Sequence, residues 1–134
     1  MRWKILAVFA FLWAVPALAG PAEDEVAASA KTWLAVVDAK NYPESWKDAA
    51  DLFQQGVSQD KWAGMVQSIR DKVGPVKSRQ FQAAQFTKTL PGVPDGDYAV
   101  VSFQTDFEAR VSSTEVITLI HENGQWKVGG YFIQ

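Results

Sequence analysis

The spacing of apolar residues changes once along this chain, near Pro75. Before Pro75, apolar residues recur every three to four positions, which is the period of an amphipathic helix. Pro43 suits the first position of a helix, Ser58 suits an N-cap, and Gly74 followed by Pro75 ends a helix. Three helices are therefore predicted, with the apolar stripes Ala30, Trp33, Leu34 and Val37; Trp46, Ala49, Ala50 and Phe53; and Trp62, Met65, Val66, Ile69 and Val73.

After Pro75 the residues alternate, which is the pattern of β-strands. Strands are predicted over residues 77–90, 98–107, 113–122 and 125–133. Asn123-Gly124 predicts a tight hairpin turn, and Gly129-Gly130 predicts a bulge or bend in the last strand. Alternation places one set of residues of the second strand on a packed side, and it divides the last strand into two sets on opposite sides. Their members are Ala99, Val101, Phe103, Thr105 and Phe107; Trp126, Val128, Gly130 and Phe132; and Lys127, Gly129, Tyr131 and Ile133.

Helices followed by strands indicate an α+β protein, because the two kinds of element are segregated along the chain. We predict three N-terminal helices packed on a curved, cone-like sheet of four antiparallel strands in meander order. Residues 20–134 are predicted to form this single domain. Both faces of the strands carry apolar residues, so the face away from the helices is either an oligomer interface, such as that of a dimer, or a mixed surface.

The first 19 residues have the pattern of a secretory signal peptide. Arg2 and Lys4 precede an apolar run over residues 5–15, and Ala17-Leu18-Ala19 matches a cleavage site before Gly20. The alternative is an uncleaved membrane anchor, for which the run is short, because a spanning helix needs about 20 apolar residues. We therefore expect export to the periplasm or the extracellular space, with no membrane attachment after cleavage.

Composition excludes several classes of site. The chain has no cysteine, which excludes disulfides, thiol catalysis and cysteine-ligated metals. With Arg2 and Lys4 removed from the 13 basic residues, 11 remain against 15 acidic ones, a formal net charge of −4. A mildly acidic domain is not expected to bind nucleic acid, because that binding depends on neutralising phosphates.

Three groups of residues carry a resemblance to a known family. They are the stretch from Trp33 through Ser45-Trp46 to Trp62, the Leu90-Pro91-Gly92 and Pro94-Asp95-Gly96 loop, and the ending Trp126-Lys127-Val128 with Gly130-Tyr131-Phe132-Ile133. The sequence resembles the DUF4019 family of small exported bacterial proteins of unknown function, over nearly all of residues 20–134. The resemblance implies a bacterial origin and export, and no activity. At the level of the fold, the element order also resembles the nuclear-transport-factor-2-like and cystatin-like cones, which host varied functions.

Few residues have the pattern of a catalytic or metal-binding set. His121 is the one histidine, and a zinc site needs three or four good ligands, so no metal or cofactor is predicted. Gly56-Val57-Ser58 resembles the start of a nucleophile elbow but lacks its final glycine, so Ser58 is interpreted as a helix cap.

Three carboxylates remain as candidates for proton transfer, namely Asp38, Asp106 and Glu115. A carboxylate in an apolar pocket has a raised pKa, which suits a general acid or base. Asp106 and Glu115 lie on neighbouring predicted strands, but they can equally be rim residues that face water.

Aromatic residues give the candidate binding site. Trp33, Trp46, Trp62 and Trp126 either pack in the core or line a pocket. The predicted pocket residues are Trp46, Trp62, Tyr98, Gln104 and Tyr131. The leading hypothesis is a non-catalytic exported domain that binds a protein partner or a small apolar ligand. The alternatives are a small enzyme that uses Asp106 or Glu115, and a structural protein that forms a homodimer.

Overall fold

The computed structural model describes residues 20–134. Four helices precede four strands: α1 (Pro21–Asp38), α2 (Tyr42–Lys47), α3 (Asp51–Gly56), α4 (Gln59–Val73), β1 (Val76–Thr87), β2 (Tyr98–Phe107), β3 (Arg110–Glu122) and β4 (Gln125–Ile133). The predicted signal peptide, with Ala19 at its cleavage site, lies outside the described residues, of which Gly20 is the first. Within residues 20–134, no helix is long and apolar enough to cross a membrane.

The predicted α+β class and the antiparallel meander are confirmed. The sheet has the strand order β1-β2-β3-β4, and each strand pairs antiparallel with the next. Asn123 and Gly124 both have positive φ, at 52° and 76°, as a two-residue hairpin turn requires. Ser58 caps α4 as predicted, since its side chain accepts a hydrogen bond from the Lys61 backbone N–H at 3.3 Å.

The second predicted helix is in fact two short helices, α2 and α3. Between them the backbone leaves the helical path and turns toward the sheet. Ala49 and Ala50 are buried there, and the Ala50 N–H donates to the Val128 carbonyl oxygen at 2.7 Å. This contact uses an N–H that a continuous helix would bond internally. The periodic spacing of the apolar residues could not show this interruption.

One side of the sheet faces the helices and holds the core; we call it the helix-facing side. The predicted packed row of β2, residues 99, 101, 103, 105 and 107, is fully buried on this side. Apolar residues of α1 and α4 cover it, including Leu34, Val37 and Val66. Each large side chain buried here stabilises the fold by roughly 1.5–3 kcal/mol relative to exposure.

Gly129 is the extra residue of the predicted bulge in β4. Thr118 pairs with Gly130 whereas Leu119 pairs with Val128, so Gly129 has no partner on β3. A side chain at Gly129 would place its Cβ only 2.7 Å from the Ile120 Cδ1 atom.

The strict alternation predicted for β4 is therefore wrong beyond the bulge. Tyr131, rather than Phe132, shares the helix-facing side with Trp126 and Val128, because the bulge reverses the sides of the residues that follow it. Phe132 points to the other side, which we call the outer side, and is 48% exposed.

The sheet is strongly curved across its helix-facing side. Phe86 on β1 and Trp126 on β4 have ring centroids 6.1 Å apart, although two strands separate β1 from β4. Ala99, the register partner of Phe86 on β2, has a small side chain. The curvature agrees with the prediction, while the likeness to the nuclear-transport-factor-2-like cones remains a prediction.

Candidate functional site

Four charged side chains form a chain of ion pairs on the helix-facing side; we call Glu115, Arg79, Asp38 and Arg70 the charged cluster. Arg79 donates from Nε to Glu115 Oε1 at 2.6 Å and from Nη1 to Asp38 Oδ2 at 2.8 Å. Arg70 donates from Nη2 to Asp38 Oδ1 at 2.7 Å. Acidic and basic groups therefore alternate, and the cluster connects α1, α4, β1 and β3.

Glu115 is the innermost member, on a central strand and 0% exposed. Besides Arg79, its Oε1 accepts from Thr105 Oγ1 at 2.7 Å and its Oε2 accepts from Tyr131 Oη at 2.5 Å. With a second bond from Arg79 Nη2 at 3.2 Å, four donors fill the acceptor positions of a carboxylate. The arrangement does not favour Glu115 as a general base, because it offers no position for a substrate proton.

The surroundings lower the pKa of Asp38 and raise the pKa values of Tyr131 and Arg79. Burial opposes ionisation of Asp38, but hydrogen bonds from Arg79 and Arg70 outweigh it and lower the pKa of the Asp38 carboxyl. Burial, together with the neighbouring Glu115 carboxylate, raises the pKa of Tyr131 far above its usual range. Burial works against the charge of Arg79, yet its bonds to Asp38 and Glu115 raise the pKa of Arg79 overall. Tyr131 therefore stays protonated and donates to Glu115.

The lowered pKa of Asp38 predicts a loss of stability in acid. The folded pKa lies below the unfolded value of about 3.9, so the stabilisation is complete above that value and is lost as the pH falls through the folded pKa. We expect Asp38→Asn to be less stable than the wild type at neutral pH and to lose less further stability on acidification. Urea unfolding between about pH 6 and pH 2 measures both effects.

The matched control is Asp95→Asn in the exposed loop between β1 and β2, since Asp95 makes no ion pair within residues 20–134. Its acid profile should follow that of the wild type. An Asp38→Asn profile with the wild-type slope would contradict the assignment of acid sensitivity to Asp38.

Arg70 is buried at the end of the charged cluster opposite Glu115. Its Nε and Nη1 atoms have no hydrogen-bond partner among the described residues, and its Cζ lies 5.4 Å from the centroid of the Phe107 ring. A cation over an aromatic face gains electrostatic attraction, which offsets part of the cost of the missing bonds. Arg70 also borders a depression of about 570 Å³ that Asp38 and Tyr42 line.

Two further depressions adjoin each other at the opposite end of the sheet. One, of about 570 Å³, lies between α1 and the β3–β4 hairpin; the other, of about 450 Å³, lies between the start of α1 and the strand ends. Glu25 and Trp126 line both, and we call the two adjoining depressions together the Trp126 groove. Its other lining residues are Ala28, Ser29, Thr32, Trp33, Lys47, Asp48, Gly124, Gln125, Lys127 and Val128 on one side of Trp126, and Phe86, Thr87, Lys88, Asp97, Tyr98 and His121 on the other.

Aromatic rings form the centre of the Trp126 groove and charged groups form its rim. The ring of His121 lies 4.9 Å from that of Trp126, and Phe86 contacts Trp126 while remaining 47% exposed. At the rim, Lys88 is ion-paired with Asp97. The groove therefore offers apolar contact area with charges of both signs around it.

The five predicted pocket residues do not gather at this groove. Tyr98 lines it, and the Tyr98 hydroxyl donates to the Pro94 carbonyl oxygen. Trp46 donates from Nε1 to the Val57 carbonyl oxygen at 2.8 Å, and buried Trp62 donates from Nε1 to Ser45 Oγ at 2.9 Å. Both tryptophans therefore have their polar atoms engaged inside the helical layer.

The other two predicted pocket residues lie elsewhere. Gln104 is exposed on the outer side of the sheet, whereas Tyr131 contacts Glu115 on the helix-facing side. The ring of Trp33 connects Trp62 and Tyr131, with its centroid 6.0 Å from that of Trp62 and 5.4 Å from that of Tyr131. Asp106, the second candidate acid, accepts a hydrogen bond from the Ser112 backbone N–H at 2.7 Å beside the β2–β3 turn.

Phe86 and Glu25 in the groove were not among the predicted site residues, and Trp126 was left open between core and pocket. The pairing of β1 could not be read from its sequence, so no signal placed Phe86 beside Trp126. The charged cluster was missed for a similar reason, because Arg79 and Arg70 come from different elements. Among residues 20–134, no three His, Cys, Asp or Glu side chains are grouped so that they could hold a metal ion.

Comparison with known proteins gives a family and no activity. None of the curated proteins compared with the chain matches it. The model of the family described as "Protein of unknown function (DUF4019)" matches residues 29–131. The match begins within α1 and includes the whole of β1, β2 and β3. The chain therefore belongs to the DUF4019 family.

Proposed function

We propose that this protein is a non-catalytic exported domain that binds a small apolar ligand in the Trp126 groove. The observation that carries the proposal is the pair of adjoining depressions, about 570 and 450 Å³, on the two sides of one half-buried tryptophan. Each volume lies within the roughly 300–1,000 Å³ that is typical of small-molecule sites.

The chemistry of the lining supports an uncharged, apolar ligand. Trp126 and Phe86 offer aromatic faces, and such rings give large contact areas at little cost in conformational entropy. The rim charges balance, with Lys47 and Lys127 near Asp48 and Glu25 on one side of Trp126. A ligand with a strong charge would gain little from that rim, whereas removal of apolar area from water favours binding.

The candidate acids support a binding function better than the enzymatic alternative. Glu115 is enclosed and fully hydrogen-bonded, and Asp106 accepts a bond from the neighbouring turn. Neither residue lines the Trp126 groove. Export remains a proposal that rests on the sequence of residues 1–19.

Filling the groove should weaken ligand binding without disturbing the fold. Ala28 is exposed on α1 and lines the groove, so Ala28→Trp places a large ring where the ligand would lie. The probe is N-phenyl-1-naphthylamine, an uncharged dye whose fluorescence rises in an apolar site. We expect saturable binding by the mature domain, and an increase of about tenfold or more in the dissociation constant for Ala28→Trp.

The control is Ala35→Trp, the same change at an exposed position two turns further along α1 and outside the groove lining. Its dye affinity should equal that of the wild type. The proposal fails if the wild type shows no saturable binding, or if both tryptophan variants bind the dye as the wild type does.

A further inference from the structure

The free edge of β1 differs from the other edge of the sheet. β1 and β4 are the two edge strands, and β4 receives a backbone hydrogen bond from Ala50 at Val128. Within residues 20–134, the outward-facing backbone groups of β1 have no hydrogen-bond partner outside the β1–β2 ladder. β1 has 12 residues, and a long unpaired edge is a template for pairing with another strand.

The second half of β1 lacks the charged residues and prolines that often protect an edge strand. Residues 80–87 contain no charged residue, proline or glycine. The flanking cations are engaged elsewhere, Arg79 with Asp38 and Glu115 and Lys88 with Asp97. The bulge between Phe81 and Ala83 interrupts the ladder, so the regular part of this stretch is residues 83–87.

We propose that two copies of this chain pair antiparallel through residues 83–87 of β1, with Gln85 on the two-fold axis. In this register Phe86 lies opposite Ala84 of the partner subunit, and Thr87 lies opposite Ala83 of the partner subunit. The two four-stranded sheets become one continuous eight-stranded sheet, and the exposed backbone groups gain partners.

The side chains of this segment are complementary to themselves in that register. Phe86 and Ala84 lie on the same side of β1, since they are two residues apart, and Phe86 is 47% exposed. Each Phe86 ring would cover the small Ala84 of the partner subunit. The two-fold axis repeats this contact, so two Phe86–Ala84 pairs would be buried. Gln85 would meet its own counterpart on the outer side, where two uncharged amides can hydrogen-bond.

The dimer involves a surface different from the one that the sequence indicated, which was the open face of the sheet. It also goes beyond the proposed ligand binding, although the two surfaces are close. Phe86 and Thr87 line the Trp126 groove, so the paired strand of the partner subunit would reach the rim of that groove.

The test of the dimer introduces a charged side chain at Gln85, on the two-fold axis. Gln85 is exposed, so Gln85→Lys and Gln85→Glu should fold normally, but each would set two like charges opposite each other. Sedimentation of residues 20–134 should show a dimer for the wild type. For each variant we expect the dissociation constant of the dimer to rise at least tenfold. An equimolar mixture of the two variants should restore the dimer, because the charges on the axis are then opposite.

Gln80→Lys is the matched control, because Gln80 is exposed on the same strand but lies outside the paired segment. It should dimerise as the wild type does. A wild-type chain that is monomeric at concentrations of about 100 μM overturns the proposal, as does a Gln85→Lys chain that dimerises normally. If the wild-type chain is monomeric and still binds the dye, the dimer alone is overturned and the proposed function stands.

Discussion

Arg79→Met is expected to lower the free energy of unfolding by about 3–5 kcal/mol, because it leaves a buried carboxylate without its cation. Arg79 makes two hydrogen bonds to Glu115, which is 0% exposed, and two more to Asp38. Methionine has a similar length but offers no donor, and Thr105 and Tyr131 cannot neutralise the charge. Urea unfolding at neutral pH measures the loss.

The control is Lys77→Met on the same strand, since Lys77 is exposed and makes no ion pair within the described residues. It should change the free energy of unfolding by no more than about 0.5 kcal/mol. The double variant Arg79→Met/Glu115→Leu should recover part of the loss, because it removes the unpaired charge as well. If Arg79→Met alone unfolds like the wild type, the charged cluster does not stabilise the domain as the geometry indicates.

Phe103→Ala is expected to cost about 3–5 kcal/mol, as is typical when a buried aromatic residue is truncated and leaves a cavity. Phe103 is 0% exposed at the centre of β2 and meets Phe81 edge to face, with ring centroids 6.1 Å apart. Its neighbours come from the adjacent strands and the helices above, so the site cannot collapse without moving several elements.

Phe132→Ala gives the matched comparison, because Phe132 lies on the outer side and is 48% exposed. The same truncation there should cost less than about 1 kcal/mol, since little apolar area leaves a packed environment. Similar losses in the two variants would mean that Phe132 is covered in solution, or that the sides of β4 are assigned incorrectly beyond the bulge.

The charged cluster and the Trp126 groove occupy different ends of the same side of the sheet, and their chemistry differs. In the cluster Glu115 is enclosed and accepts hydrogen bonds from four donors, and the cluster joins helices to strands. The groove is open, and its aromatic lining includes half-buried Trp126 and exposed Phe86. A buried ion-pair cluster that joins four elements suits a scaffold, and an open groove with exposed aromatic area suits a binding surface.

Predictions from local patterns agreed best with the structure where they concerned a single strand or a single turn. The alternation of Tyr98–Phe107 gave the correct buried row, and Asn123-Gly124 gave the correct hairpin. These features depend on the two-residue period of a strand and on backbone conformations that glycine and asparagine tolerate. The pair Gly129-Gly130 indicated a bulge for the same reason.

The sequence by itself determined the α+β order, the hairpin and the cap at Ser58, because each depends on residues close together along the chain. It also determined the family, from residue types spread over residues 29–131. Only the tertiary structure decided that Ala50 bonds to Val128, that Arg79 meets Glu115, and that Phe86 meets Trp126. These contacts join residues 36 or more positions apart, and they depend on the register of β1 and the curvature of the sheet. Register and curvature arise from packing the whole chain at once, so no local pattern carries them.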